Sequence, residues 1–173
     1  MTPGLTRLNT LPAPEAADEL RSCCGSSRWV DAMVARRPFG SVDALLAAAD
    51  ELWRATRPAD WDEAFAHHPR IGERHARAPV SSAARTWSAH EQSAASASDT
   101  GVRDALAMAT AEYERRFGWI YIVCATGRGA EEMLADVTAR LGNDAEQERA
   151  VAAAEQGKIT RLRLEKLAGA EAS

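Results

Sequence analysis

WIYIVCAT, residues 119–126, is the one stretch of this 173-residue chain in which β-branched and aromatic residues form a nearly continuous apolar run. A run of that length suits a buried strand, but a strand needs a neighbour to pair its backbone. No second run of the kind is in view. The stretch therefore reads as a buried extended segment crossing a core built by helices, and its backbone polar groups call for partners from the chain or from a ligand.

The flanks support a helical surrounding. Upstream, GVRDALAMATAEYERRFG (101–118) places Val102, Leu106, Ala109, Tyr113 and Phe117 on one stripe, with Asp99 and Thr100 as candidate caps and Gly118 as the stop. Downstream, GAEEMLADVTARLG (129–142) and DAEQERAVAAAEQGKITRLRLEKL (144–167) read as two helices divided by Gly142 and Asn143. Towards the N-terminus, PEAADELRSCCG (14–25) has proline in its first turn and glycine past its end, the expected asymmetry. SSRWVDAMVARRP (26–38) offers Ser26 or Ser27 as N-cap, and SVDALLAAADELWRA (41–55) starts from Ser41 with leucines at helical spacing.

ADWDEAFAHHP (59–69) places Asp60 as N-cap with Glu63 three residues on, so this helix is expected to run to the histidines and stop at Pro69. SSAARTWSAHEQSAASAS (81–98) is a weaker helix that dissolves into small residues. These readings predict an all-α, single-domain helical bundle over residues 1–173, with about seven to eight helices and one buried extended segment.

The charges, 21 basic against 25 acidic for a net of −4, are interleaved and form no basic stripe, which argues against nucleic acid as a partner. No apolar run approaches a membrane span, the start of the chain does not read as a signal peptide, and the last residues carry no peroxisomal address. A soluble cytoplasmic protein is the expectation. Cys23, Cys24 and Cys124 are odd in number and lack metal spacing, so they read as reduced core residues.

Chemistry has few places to sit. His67 and His68 are neighbours on a helix, pointing roughly 100° apart, so they cannot share one ion while helical. His75 and His90 match no ligand spacing. No serine lies in a nucleophile elbow, no dinucleotide or P-loop pattern occurs, and the two glycines of ATGRGAEE (125–132) are a weak anion-site signal. His68 at a helix C-terminus is favoured in its protonated form by the dipole, which suits a proton carrier. Taken alone, however, a histidine ending a helix is more often a solvated cap. Glu91 is equally readable as an exposed charge, and Arg161 and Arg163 as surface residues flanking Ile159, Leu162 and Leu164. A non-catalytic helical module and a histidine-based, metal-dependent amidohydrolase both remain open on these residues.

Several separated motifs in order narrow the choice. CCGSSRWVDAMVARRPF (23–39), HPRIG (68–72), SAHEQS (88–93), AEYERRFGWIYIVCATGR (111–128) and LGNDAEQERAVAAAEQGKITRLRLEKL (141–167) together resemble the 2-oxo-4-hydroxy-4-carboxy-5-ureidoimidazoline (OHCU) decarboxylase family of urate catabolism, over almost the full length. The resemblance implies a cofactor-free decarboxylase that converts OHCU to (S)-allantoin. It implies His68, Glu91 and Arg161 as catalytic residues. Substrate contacts would come from Pro69, Ser88, Gln92 and the stretch Trp119, Ile120, Tyr121, Ile122 and Val123. No metal is implied; a homodimer is, with functional coupling to 5-hydroxyisourate hydrolase. Trp119 and Tyr121 stand where phenylalanines are common in the family, and Ala94 where a glycine is common.

Overall fold

The structure is a computed structural model that describes residues 1–72, 82–92 and 100–169. Among these residues it is all-α, with nine helices: α1 (Pro3–Thr10), α2 (Ala13–Cys23), α3 (Ser27–Arg36), α4 (Val42–Arg54), α5 (Pro58–Ala66), α6 (Ser82–Glu91), α7 (Thr100–Phe117), α8 (Ala130–Arg140) and α9 (Ala145–Leu167). The helix beyond the expected seven to eight is α1. Thr2 caps it by accepting from the Leu5 amide at 3.3 Å, and Pro3 sits in the first turn, where its missing N–H costs nothing. His75, Ser93, Ala94 and Asp99 lie outside the described residues.

The chain clusters into two compact units, Met1–Ala64 with the chain from Gly157 onward, and Phe65–Gln156. In the first unit α1 packs on α2, α2 on α3 and α3 on α4. Their buried faces supply Leu5, Leu8, Leu20, Trp29, Val30, Met33 and Leu45. Trp29 donates its indole N–H to the Ala49 carbonyl at 3.1 Å, so the largest of these side chains leaves no polar atom unsatisfied. Ser26 and Ser41 cap α3 and α4 as expected, accepting from the amides of Trp29 and Ala44.

The capping role given to Asp60 is corrected. Helix α5 starts at Pro58, and Asp60 lies inside its first turn, where its carboxylate accepts from the Arg57 amide at 2.8 Å. This is the reach-back half of a capping box, set by the proline that opens the helix. Glu63 caps a different helix. Its carboxylate takes the Ser27 amide at 2.8 Å and the Ser27 hydroxyl at 2.6 Å, at the N-terminus of α3.

The end of α9 closes against α1 in this unit. A Cβ on Gly4 would stand 2.3 Å from the Leu167 carbonyl oxygen, a backbone atom that cannot swing away. Gly4→Ala gains about 1 kcal/mol of helix propensity, but the clash costs more. The expected result is a net loss of about 2 kcal/mol, read as a lower denaturation midpoint at unchanged slope. A stabilised variant would show that the two backbones do not meet.

In the second unit α7 packs on α8. Leu106, Tyr113 and Phe117 of the expected stripe are buried, while Val102 and Ala109 are half-buried. Gly118 ends α7 with a φ of +84°, and its amide reaches back to the Glu114 carbonyl at 2.9 Å. Residues 119–125 then run between α7 and α8 as neither helix nor strand, with Trp119, Ile120, Tyr121, Ile122, Val123 and Ala125 all buried.

Candidate active site

The second unit holds most of the residues expected to act, and local chemistry explains their positions. Helix α5 ends at Ala66 because Pro69 disfavours helical backbone at the residue before it, His68. The chain turns there, with the His68 amide donating to the Phe65 carbonyl at 3.1 Å. This leaves the His68 side chain half-buried just past the helix end. Its Nε2 lies 2.7 Å from Oε1 of Gln156, a residue on α9 with no exposed surface.

The preceding residue on α9, Glu155, serves the linking segment. Its carboxylate accepts from the Cys124 amide at 2.8 Å, and the Arg128 guanidinium stands 4.0 Å from it. Two residues earlier, the Ile122 carbonyl accepts from Arg140 Nη1 at 2.9 Å. The backbone groups of Ile120, Tyr121 and Val123 make no hydrogen bond among the described residues. A buried segment left in that condition is ready to bond a small polar ligand.

Behind the segment lies a buried ionic cluster that the sequence reading missed. Arg140 donates from Nε and Nη2 to Glu148 at 2.8 and 2.6 Å, with side-chain exposures of 7% and 0%. Asn143 donates to the other oxygen of Glu148 at 2.8 Å, and the Tyr113 hydroxyl also bonds this carboxylate. The Trp119 indole N–H donates to that hydroxyl at 3.2 Å, and Tyr121 donates to Asp136 at 2.5 Å. The Arg140 guanidinium also lies over the Tyr121 ring, 4.8 Å from its centroid. Burial, and next the hydrogen bond to a carboxylate, push both phenols above their usual range. Tyr113 and Tyr121 are therefore neutral donors here.

Helix α6 contributes the remaining candidates. Ser88 is buried, and Glu91 and Gln92 are half-buried at the helix end. Gln92 accepts the Gly72 amide at 3.1 Å and so ties α6 to the turn that follows His68 and Pro69. Glu91 acts electrostatically on Cys124: burial first, then Glu155, with Glu91 adding, push that thiol upward. This places Glu91 near the linking segment. A cavity of about 410 Å³ is lined by Gly72, Gln92, Arg103 and Thr110, among others. A second, of about 270 Å³, is lined by Arg70, Glu114 and Tyr121, among others.

Arg161 belongs to the first unit, where it is exposed and paired with Asp50 at 3.2 Å and Glu165 at 3.5 Å. Arg163, expected at the surface, is instead 3% exposed and donates to the Ser22 carbonyl at 3.3 Å. It shares the buried face of α9 with Ile159 and Leu164. Cys23 and Cys24 are buried free thiols; burial pushes Cys24 up to about 11, so it is protonated and unreactive near neutrality. Among the described residues no three His, Cys, Asp or Glu side chains gather as a metal ion would require. No described helix is long and apolar enough to cross a membrane.

Gln156, Glu155, Arg140 and Glu148 are the neighbours of this site that sequence reasoning did not find. A usable signal existed on α9. Ala152, Gln156, Ile159 and Arg163 fall at intervals of four, three and four and are all buried, so two polar residues occupy core positions.

Comparison with known proteins gives concordant results. The profile of the family described as OHCU decarboxylase matches residues 9–165. The uric acid degradation bifunctional protein TTL of Arabidopsis thaliana is 36% identical over 87% of this chain; the match spans 46% of that protein, about half its length. A 2-oxo-4-hydroxy-4-carboxy-5-ureidoimidazoline decarboxylase of Amia calva is 31% identical over 75% of this chain and 73% of its own. Among solved structures, an OHCU decarboxylase crystallised in the presence of (S)-allantoin superposes with a TM-score of 0.75 at 34% identity, covering 88% of this chain and 98% of the other.

Proposed function

Because the chain belongs to the OHCU decarboxylase family, we propose that it decarboxylates OHCU to (S)-allantoin and carbon dioxide in urate breakdown. The observation that carries this reading is the His68 imidazole, held at a helix end in the same unit as a buried segment of which three residues make no backbone hydrogen bond among the described residues.

The substrate's carboxylate sits on a carbon that also bears a hydroxyl, beside a ring C=N bond. When the carbon–carboxylate bond breaks, its electron pair forms a carbon–carbon double bond and the imine pair moves to nitrogen, which takes a proton. The resulting enol loses its hydroxyl proton, becomes a carbonyl and gains a proton at the neighbouring carbon, giving allantoin. The imine is the electron sink, so this route needs no cofactor.

In this reading the protein orients the carboxylate and manages these proton transfers, the last of which must reach a single face to give one enantiomer. His68 carries the proton, Glu91 steadies the imidazole or the substrate hydroxyl, and Arg161 neutralises an anionic oxygen by paired hydrogen bonds. Pro69, Ser88, Gln92 and the backbone of 119–123 bind the ring and ureido amides. We read residues 1–173 as one functional domain, supported by the span of the family match. We also propose a cytoplasmic homodimer coupled to the hydrolase that forms its substrate; the bifunctional character of the plant relative supports the coupling.

Freshly generated OHCU, followed by circular dichroism, tests the reaction: the protein should accelerate the appearance of optically active allantoin. Racemic product at the uncatalysed rate refutes it. Glu91→Gln and Arg161→Ala test the roles. Each should change stability by no more than about 1 kcal/mol, because exposed ion pairs like those of Arg161 contribute little. Each should lower kcat/KM about tenfold or more. A variant that keeps full activity removes that residue from the site.

A further inference from the structure

We infer that Gln156 is a positioning residue for His68: its side-chain oxygen accepts the imidazole Nε2–H, fixes the ring and places the neutral ring's lone pair on Nδ1. The inference rests on the reading of His68 as proton carrier. The geometry is a 2.7 Å contact from a residue with no exposed surface, 88 positions away in sequence. A carboxamide so buried is costly unless bonded, so partner and ring hold each other in one orientation. The choice of an amide matters, because a carboxylate in its place would stabilise the imidazolium and hold the proton that His68 must exchange.

The neighbouring residue strengthens the case. Glu155 and Gln156 are consecutive on α9 and diverge by roughly 100°. One therefore reaches the Cys124 amide and the other reaches His68. A single turn of helix thus sets both the ring and the segment proposed to bind the substrate.

Nitrogen-15 spectra of the protein, with the His68 signals assigned by their loss in His68→Asn, test this directly. In the wild type the resting ring should carry its proton on Nε2, with exchange slow enough for that proton to be observed. Gln156→Met should lose the proton to fast exchange and lower kcat about tenfold or more, while KM stays within about threefold. Gln156→Glu retains an acceptor and should keep the Nε2 proton visible. A wild-type ring protonated on Nδ1 overturns the inference even if the variants fail to fold, as does Gln156→Met at wild-type kcat. Full activity in His68→Asn would instead remove His68 as the proton carrier and leave the reaction standing, with the spectrum reporting on the Gln156 contact alone.

Discussion

Replacing His68 with asparagine should lower kcat/KM by about 10²- to 10⁴-fold, the range spanned by removal of a positioned proton carrier. The fold should survive. The ring is half-buried, lies two residues past the end of α5 and contributes no large apolar surface, so its loss should cost about 1–3 kcal/mol, set by the buried Gln156 carboxamide that loses this partner. His67→Ala is the internal control. That neighbour also lies past the end of α5, yet the reading gives it no proton to carry, so its variant should stay within about threefold of wild type. Steady-state kinetics on fresh substrate, with urea denaturation of both variants, separates the outcomes. Equal losses at both positions would move the chemistry away from His68. Loss of activity in step with loss of stability would make His68 a structural residue.

How much of this was readable from the chain alone depends on whether the signal was local. The all-α class followed from caps and apolar spacing, and Ser26, Ser41 and Gly118 act where their residue types demand. The buried stretch at 119–125 was legible because a lone β-rich run has no sheet to join. His68 stood out because proline fixes the end of its helix. The partners of these groups were not legible. Glu63 lies three residues from Asp60, a spacing that suggests a local box, yet its carboxylate serves Ser27, 36 positions away. Gln156 and Glu155 sit in an alanine-rich helix and look like solvent-facing residues until the buried register of α9 is known. Helix α1 escaped because eight residues give too short a period to read.

Glu148→Ala should be strongly destabilising, costing about 3–5 kcal/mol of a total that for domains of this kind is about 5–15 kcal/mol. The reason lies in what is left behind. Arg140 is 7% exposed at its side chain and spends two of its donors on Glu148, so truncation strands a buried guanidinium and removes the acceptor used by Tyr113 and Asn143. The double variant Arg140→Met/Glu148→Leu removes both charges and should recover much of the lost stability, since apolar replacement of a buried pair is often neutral or better. Activity should not return with it. Arg140 also donates to the Ile122 carbonyl and lies over the Tyr121 ring, and no methionine can hold that backbone oxygen. The proposed binding segment would then be folded but free to shift, raising KM for OHCU while His68 and Gln156 stay in place. Urea midpoints and kinetics on the single and double variants decide the matter. A double variant that regains wild-type KM would show that the ionic cluster serves stability alone.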